Sequence, residues 1–430
     1  MTELRTFGHA EAADAVTPYH VSWPLVMLLI LAMVVCYAHR GALSIAAPFM
    51  MKDLGLPAST MGILLSAFFW LYAFMQIPAG WIVDRFGVKW AYAGGFAFWS
   101  VASALTGFAQ GAVTLIAVRL ALGVGQSVAF PASASAVSRS FRDRERGLVT
   151  AGYLSGVRIG QAIVGAIGAV MIARFGYRGF FLIISLLPLL WLIPWMAFWG
   201  RIRDSALHSA STAAQTRAAF SFGDAVMLLK HRTVLGIFLG YFAYDYVWFV
   251  YVTWLPSYLV LGRKFTTAEM GFYSSVPYLI MMVVILISGA LSDYIIRRGS
   301  SERVVRKWFI AIGMFVACLI VPAGIVEDRV TSVWLLTAAL MGIGIASPNT
   351  WTLTQVVCAR PIVGSVSGIQ NFGGNLGGIV APALTGFAVQ WTGSFVIPFL
   401  VCGVVLVAGV LCYWLLVSER VEVQAGPIAR

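Results

Sequence analysis

Twelve long apolar runs follow one another along this 430-residue chain, at roughly 22–50, 58–83, 88–109, 112–137, 147–173, 178–199, 233–260, 267–296, 306–326, 331–357, 363–391 and 394–418. About 20 apolar residues in a helix cover the hydrocarbon core of a bilayer. No water is present there to satisfy backbone N–H and C=O groups, so only helices or a closed barrel can span it. The runs lack the period-2 alternation of barrel strands, which leaves helices. Only 11% of the residues are charged, against about a quarter in soluble domains. The expected fold class is an all-α integral membrane protein with twelve transmembrane helices.

Charge fixes the expected orientation. If the amino terminus is cytoplasmic, 20 Lys and Arg fall on the tails and even-numbered connections and 6 on the opposite side. That bias places both termini in the cytoplasm. It also accounts for the net charge of +12 without nucleic acid, since there is no soluble basic domain. The 21 residues before the first run read as a cytoplasmic tail with no cleavable signal peptide. The five cysteines (Cys36, Cys318, Cys358, Cys402, Cys412) sit in or beside apolar runs without metal spacing and read as small packing residues.

One long polar connection, 201–232, divides the chain into six runs (22–200) and six more (233–418), with a cytoplasmic tail at 419–430. Its Ser/Ala-rich first part reads as a flexible linker. Its second part, FGDAVMLLKHR, reads as a short amphipathic helix on the membrane surface. An internal repeat supports the division. Gly80-x-x-x-Asp84-Arg85 follows run two, Gly289-x-x-x-Asp293 follows run eight, and the two aspartates are 209 positions apart. Parallel halves of this kind imply a central binding site and rocking between two access states.

The loop Gly80-Trp-Ile-Val-Asp84-Arg85-Phe-Gly87-Val-Lys89 resembles the signature of the major facilitator superfamily. Four stretches resemble its anion:cation symporter family more narrowly: YAHRGALSIAAP from Tyr37, SAFFWLYAFMQIPAGWIVDRFG from Ser66, TWLPSYLV from Thr253 and NFGGNLGGIVAPALTG from Asn371. The resemblance implies two six-helix pseudo-symmetric halves and a monomer in the cell (inner) membrane. It also implies import of a small organic anion, with galactonate, hexuronate and glucarate carriers as family examples, and H+ as the coupling ion. No cofactor and no metal are expected.

Three arginines lie deep in apolar runs. An arginine at membrane depth costs roughly 2.5–3.5 kcal/mol on insertion scales unless it is paired or faces a polar cavity. Arg40 lies about 26 Å along its helix from Trp23, and Arg119 shares one face of run four with Gln126. Two guanidiniums without a neighbouring acid form an anion receptor, each able to clamp a carboxylate in two-pronged fashion. The alternative is a brace of carbonyl contacts. In the resembled family the basic positions of helices one and four face the transport cavity.

Arg158, with Gln161 one turn on, is read either as a substrate contact or as the partner of Asp245, the one acid buried in an apolar run. Tyr37, Tyr72, Gln370, Asn371 and Asn375 complete the candidate cage, the amides facing substrate hydroxyls or bracing helices. Where the family carries acids for proton coupling, this chain has His39 and Gln126, so Asp245 and His39 become the coupling candidates. The same gap leaves anion exchange of the organophosphate type open. Asp84, Arg85 and Asp293 are read as gating residues, with Arg139, Arg146 and Arg360 as partners. Three buried arginines against one acid oppose a multidrug or cation exporter. A sensor lacks an appended domain, and there is no catalytic grouping or nucleotide loop for an enzyme or an ATP-driven pump.

Overall fold

A computed structural model describes residues 23–141, 143–201, 227–359, 362–418 and 420–421. Nearly all of them are helical. The first span, α1, is Trp23–Asp53. The stretch Ala58–Leu105 runs as one helix except at Gly87, where φ 74° and ψ 158° turn the chain back. Glycine alone adopts that backbone without strain, so the stretch is two passages, α2 (58–86) and α3 (88–105). Ala112–Ser140 is α4. Gly176 (φ 66°, ψ 170°) breaks Asp143–Leu186 in the same way, giving α5 (143–175) and α6 (177–201). The second half comprises α7 (Arg232–Gly262), α8 (Thr267–Arg297), α9 (Glu302–Ile325), α10 (Arg329–Val357), α11 (Val363–Thr392) and α12 (Val396–Leu416). Ten segments among the described residues qualify by length and apolarity as membrane spans; Leu148–Trp199 among them carries two passages, and α3 adds the twelfth. The twelve passages match the twelve runs.

Local chemistry starts and stops these helices. A capping box opens α8: Thr266 accepts from the Glu269 amide and the Glu269 carboxylate accepts from the Thr266 amide. Asp328 caps α10 by accepting from Thr331 N at 2.7 Å. At the end of α12 the carbonyls left without helical partners are met by basic side chains. Lys307 Nζ donates to Trp414 O and Val417 O, Arg232 to Leu415 O, and Arg303 to Ser418 O. Val421 then pairs with the strand-like ends of Val357 and Ala359, which ties the chain end to the α10–α11 connection.

Within the first half α1 packs along α5, and α4 packs along α2 and α3; within the second, α7 packs along α11 and α9 along α10. The halves meet along α2–α11 and α5–α8. Those seams lie towards the face where α1 ends, here called the far face; the face where α1 begins and α12 ends is the terminal face. At the far end of α2 a Cβ on Gly62 would stand 2.5 Å from Pro382 O, and on α8 a Cβ at Gly271 would stand 2.5 Å from the Ala169 methyl. Ser44 Oγ on α1 lies 2.6 Å from the carbonyl oxygens of Val252 and Thr253 on α7. Ser59 N donates to Gln390 Oε1 at 3.0 Å. Deeper in, the Phe69 and Phe249 rings meet with centroids 4.4 Å apart.

Towards the terminal face α11 loses its cover. Asn371 is exposed, and side chains added at Gly368 or Gly364 would meet nothing within 4 Å. The contacts described between the halves thus gather towards the far face, while α11 is exposed at Gly364, Gly368 and Asn371 nearer the terminal face.

The expected linker and its amphipathic helix fall at 202–226 and beyond, mostly outside the described residues, as do the tails 1–22 and 422–430.

Candidate functional site

The candidate site is built on Arg40. It is 8% exposed and sits among three rings, with its guanidinium carbon 4.4 Å from the Tyr37 centroid, 4.5 Å from Phe68 and 4.6 Å from Tyr72. Those π faces partly compensate a charge removed from water. Arg40 Nε donates to Gln126 Oε1 at 3.2 Å and Nη1 to the Tyr37 hydroxyl at 3.3 Å, while Nη2 is buried with no partner.

Arg119 approaches from α4, with its guanidinium carbon 5.3 Å from the same Phe68 ring. The close approach of α2 and α4 at Gly123, where a Cβ would run into Phe68 O, makes this possible. Sharing one ring puts the two guanidinium carbons no more than about 10 Å apart. Arg119 is 3% exposed and its Nε is also buried without a partner. Among the described residues no carboxylate pairs with either arginine. Two adjacent cations holding unfilled donors, with nothing anionic beside them, form an anion site.

The opposite wall comes from α5, α7 and α11. Arg158 lies over the Trp248 ring at 4.1 Å, one turn along α7 from Asp245. Tyr37 is within electrostatic reach of both Arg40 and Arg158, and Asp245 is within reach of Arg158. Asp245 makes neither a hydrogen bond nor a salt bridge among the described residues. Its carboxylate sits in the notch left by Gly374, where a Cβ would overlap Oδ2. One helical turn away, Asn375 Nδ2 donates back to Asn371 O at 2.9 Å, and Asn371 faces open space.

Several expected site residues have other work. Gln126, expected at the substrate, is fully buried and orients Arg40, with Nε2 donating to Cys36 O at 2.9 Å. Gln370 is turned to α10, accepting from Thr354 Oγ1 at 2.6 Å, while its neighbour Asn371 is exposed. His39, next to Arg40 but about 100° around the helix, is buried with Nε2 2.8 Å from Ile184 O on α6. Gln161 lies above the cavity in the far seam, its Oε1 buried without a partner. There it shares a void of about 20 Å³ with Ser44, Ser274 and Tyr278. Tyr37 and Tyr72 enclose Arg40 with their rings, and the Tyr37 hydroxyl also accepts from Arg40 Nη1.

The gating candidates pair inside their own halves. Asp84 lies 3.6 Å from Arg139, with its side chain 77% exposed. Arg85 stacks on Trp81, and Arg146 donates to Phe141 O and Ser138 O. Asp293, expected to meet Arg360, is held by Arg306 at 2.6 Å; Arg360 lies outside the described residues. Arg306 lies at the charged border of its run, where the sequence pattern expects a surface cation. It is 6% exposed and also reaches Glu302, Ser292 Oγ and Asn349 Oδ1. The signal that could have marked it is the polar set Ser288, Ser292 and Asn349 in otherwise apolar helices.

Twelve helical passages among the described residues, packed as two sixes with Arg40, Arg119, Arg158 and Asp245 within their spans, define a membrane transporter. The chain belongs to the Major Facilitator Superfamily, whose family model matches residues 29–382 and 299–430. It is 29% identical to the D-galactonate transporter of Escherichia coli O6:H1 (strain CFT073) over 94% of this chain and 98% of that one. It is 31% identical to the hexuronate transporter of Bacillus subtilis (strain 168) over 88% and 91%. A solved bacterial homologue of the human lysosomal transporter Spinster, inward-facing and unoccupied, superposes with a TM-score of 0.76 at 15% identity, over 94% and 98% of the two chains.

Proposed function

We propose that this protein is a proton-coupled carrier that imports a sugar acid across the cell (inner) membrane by alternating access, with the terminal face cytoplasmic. The observation that carries the reading is the pair Arg40 and Arg119, buried, adjacent and without an acid among the described residues. The sugar-acid relatives support the choice of anion. Hydroxyl recognition falls to Asn371 and Asn375. The far seam supports alternating access, since it is made of small residues and a few hydrogen bonds that can part without unfolding either half.

Asp245 is the proposed proton carrier. A carboxyl without a hydrogen-bond partner, close to one arginine, can alternate between a proton and an ion pair as the cavity changes access. Anion exchange is the second reading, favoured by one observation: Gln126 fills the place beside Arg40 where a titratable acid would stand.

Counterflow in proteoliposomes tests both. Labelled galactonate, glucuronate and galactarate should exchange, neutral sugars and organophosphates should not, and an inward proton gradient should drive accumulation. Exchange of a sugar acid that ignores the gradient would support the exchanger. Exchange of organophosphates alone would overturn the sugar-acid reading.

A further inference from the structure

Charge balance inside the bundle narrows the substrate further. Away from the two faces the described helices carry three cations, Arg40, Arg119 and Arg158, and one acid, Asp245. The charges nearer the terminal face are already answered: Arg306 by Asp293 and Glu302, and Lys307 by the carbonyls of α12. The cavity alone is left with an excess of two positive charges when Asp245 is ionised. Uncompensated charge in a low-dielectric interior is costly, and a ligand bearing one carboxylate would remove only half of that excess.

The positions of the cations matter as much as their number. Arg40 and Arg119 share the Phe68 ring on one wall. Arg158 lies on the other, over Trp248, with Tyr37 within electrostatic reach of both Arg40 and Arg158. The amides of Asn371 and Asn375 on α11 offer polar partners for a hydroxylated chain. Asp245 alone is too little counter-charge for the cluster, and it makes no salt bridge with Arg158.

Resting on the sugar-acid reading above, we infer that the preferred substrate is a dianion, a polyhydroxy dicarboxylate of the aldarate type. One carboxylate is received by Arg40 and Arg119 and the other by Arg158. Galactarate and galactonate form a matched pair of probes, since they differ only in whether the terminal carbon is a carboxylate or a hydroxymethyl group. A second charged contact is worth at least about ten-fold in affinity.

The experiment is isothermal titration of the purified full-length protein in detergent with each acid at pH 7. Galactarate should bind at least about ten-fold more tightly than galactonate, and Arg158→Gln should collapse that ratio while Arg158→Lys keeps part of it. Equal binding of the two acids by the parent protein overturns the dianion inference and leaves the sugar-acid reading in place. A ratio that survives Arg158→Gln overturns the role of Arg158. Binding of neither acid overturns both readings. The parent ratio decides the matter even if a variant does not fold.

Discussion

The carboxylate of Asp245 occupies the space that any side chain at residue 374 would need. A Cβ built on Gly374 overlaps Oδ2 and comes within 2.7 Å of Tyr241 Cε1. The acid is thus positioned by the shape of α11 and not by a hydrogen bond, which leaves its oxygens available to a proton or to Arg158. Gly374→Ala should displace Asp245 and overpack the α7–α11 interface, destabilising the protein by about 1–3 kcal/mol. Thermal unfolding in detergent reads this out. In the double variant with Asp245→Ala the clash is relieved, so the two effects should be far from additive. Additive losses would show that the notch is not what holds the acid.

Arg40→Ala and Arg40→Lys should both weaken sugar-acid binding by more than about ten-fold. An ammonium cannot reproduce the fork that now reaches Gln126 and Tyr37 together. Titration calorimetry is the measurement, with gel filtration as the check on folding. Binding by either variant at parental affinity would remove Arg40 from the substrate site.

The far seam gives a prediction about conformation. Bulk at Gly271, where even a methyl would meet Ala169 Cβ at 2.5 Å, should hold α5 and α8 apart. Gly271→Val should therefore favour the state open at the far face. A cysteine placed at buried Ser274 should then react with a membrane-impermeant maleimide from that face several-fold faster than in the parent background. Equal rates would mean that this contact does not set the access equilibrium.

The helices were legible because a bilayer imposes length and apolarity on every span, and the twelve runs carry both. The turns at Gly87 and Gly176 were anticipated as gaps between runs, although the backbone passes through each in a single residue. The deep arginines were legible because charge at that depth demands a reason. Which way a neutral polar side chain points was not. These helices are apolar nearly all round, so no polar face reveals that Asn371 is exposed while Gln370 turns to Thr354. Arg306 was hidden for the opposite reason: it lies at the charged border where basic residues are expected, and only tertiary packing shows that four side chains converge on it. The same packing keeps Asp84 and Asp293 within their own halves. Asp84→Asn should cost well under about 1 kcal/mol given the exposure of its pair. Arg306→Ala should cost about 3–5 kcal/mol by leaving a buried network unanswered. Chemical unfolding of the two variants compares them directly.

Gln126 gives the sharpest test of how charge is handled at the site. Its Oε1 already accepts from Arg40 Nε at 3.2 Å, and its Nε2 donates to Cys36 O. Gln126→Glu keeps the shape but replaces the neutral acceptor with a carboxylate in contact with the guanidinium. In its ionised form that carboxylate competes with the substrate for Arg40 and turns its second oxygen towards the Cys36 carbonyl, which repels it. Protonation restores a neutral acceptor and allows the acid O–H to donate to Cys36 O. Affinity for the sugar acid should therefore fall about ten-fold or more at neutral pH and recover as the pH is lowered, whereas the parent, with an amide that does not titrate, should lack this component. Titrating each protein with galactarate between pH 5.5 and 8 measures it. A variant whose pH profile parallels that of the parent would show that Gln126 does not govern the charge available to substrate at Arg40.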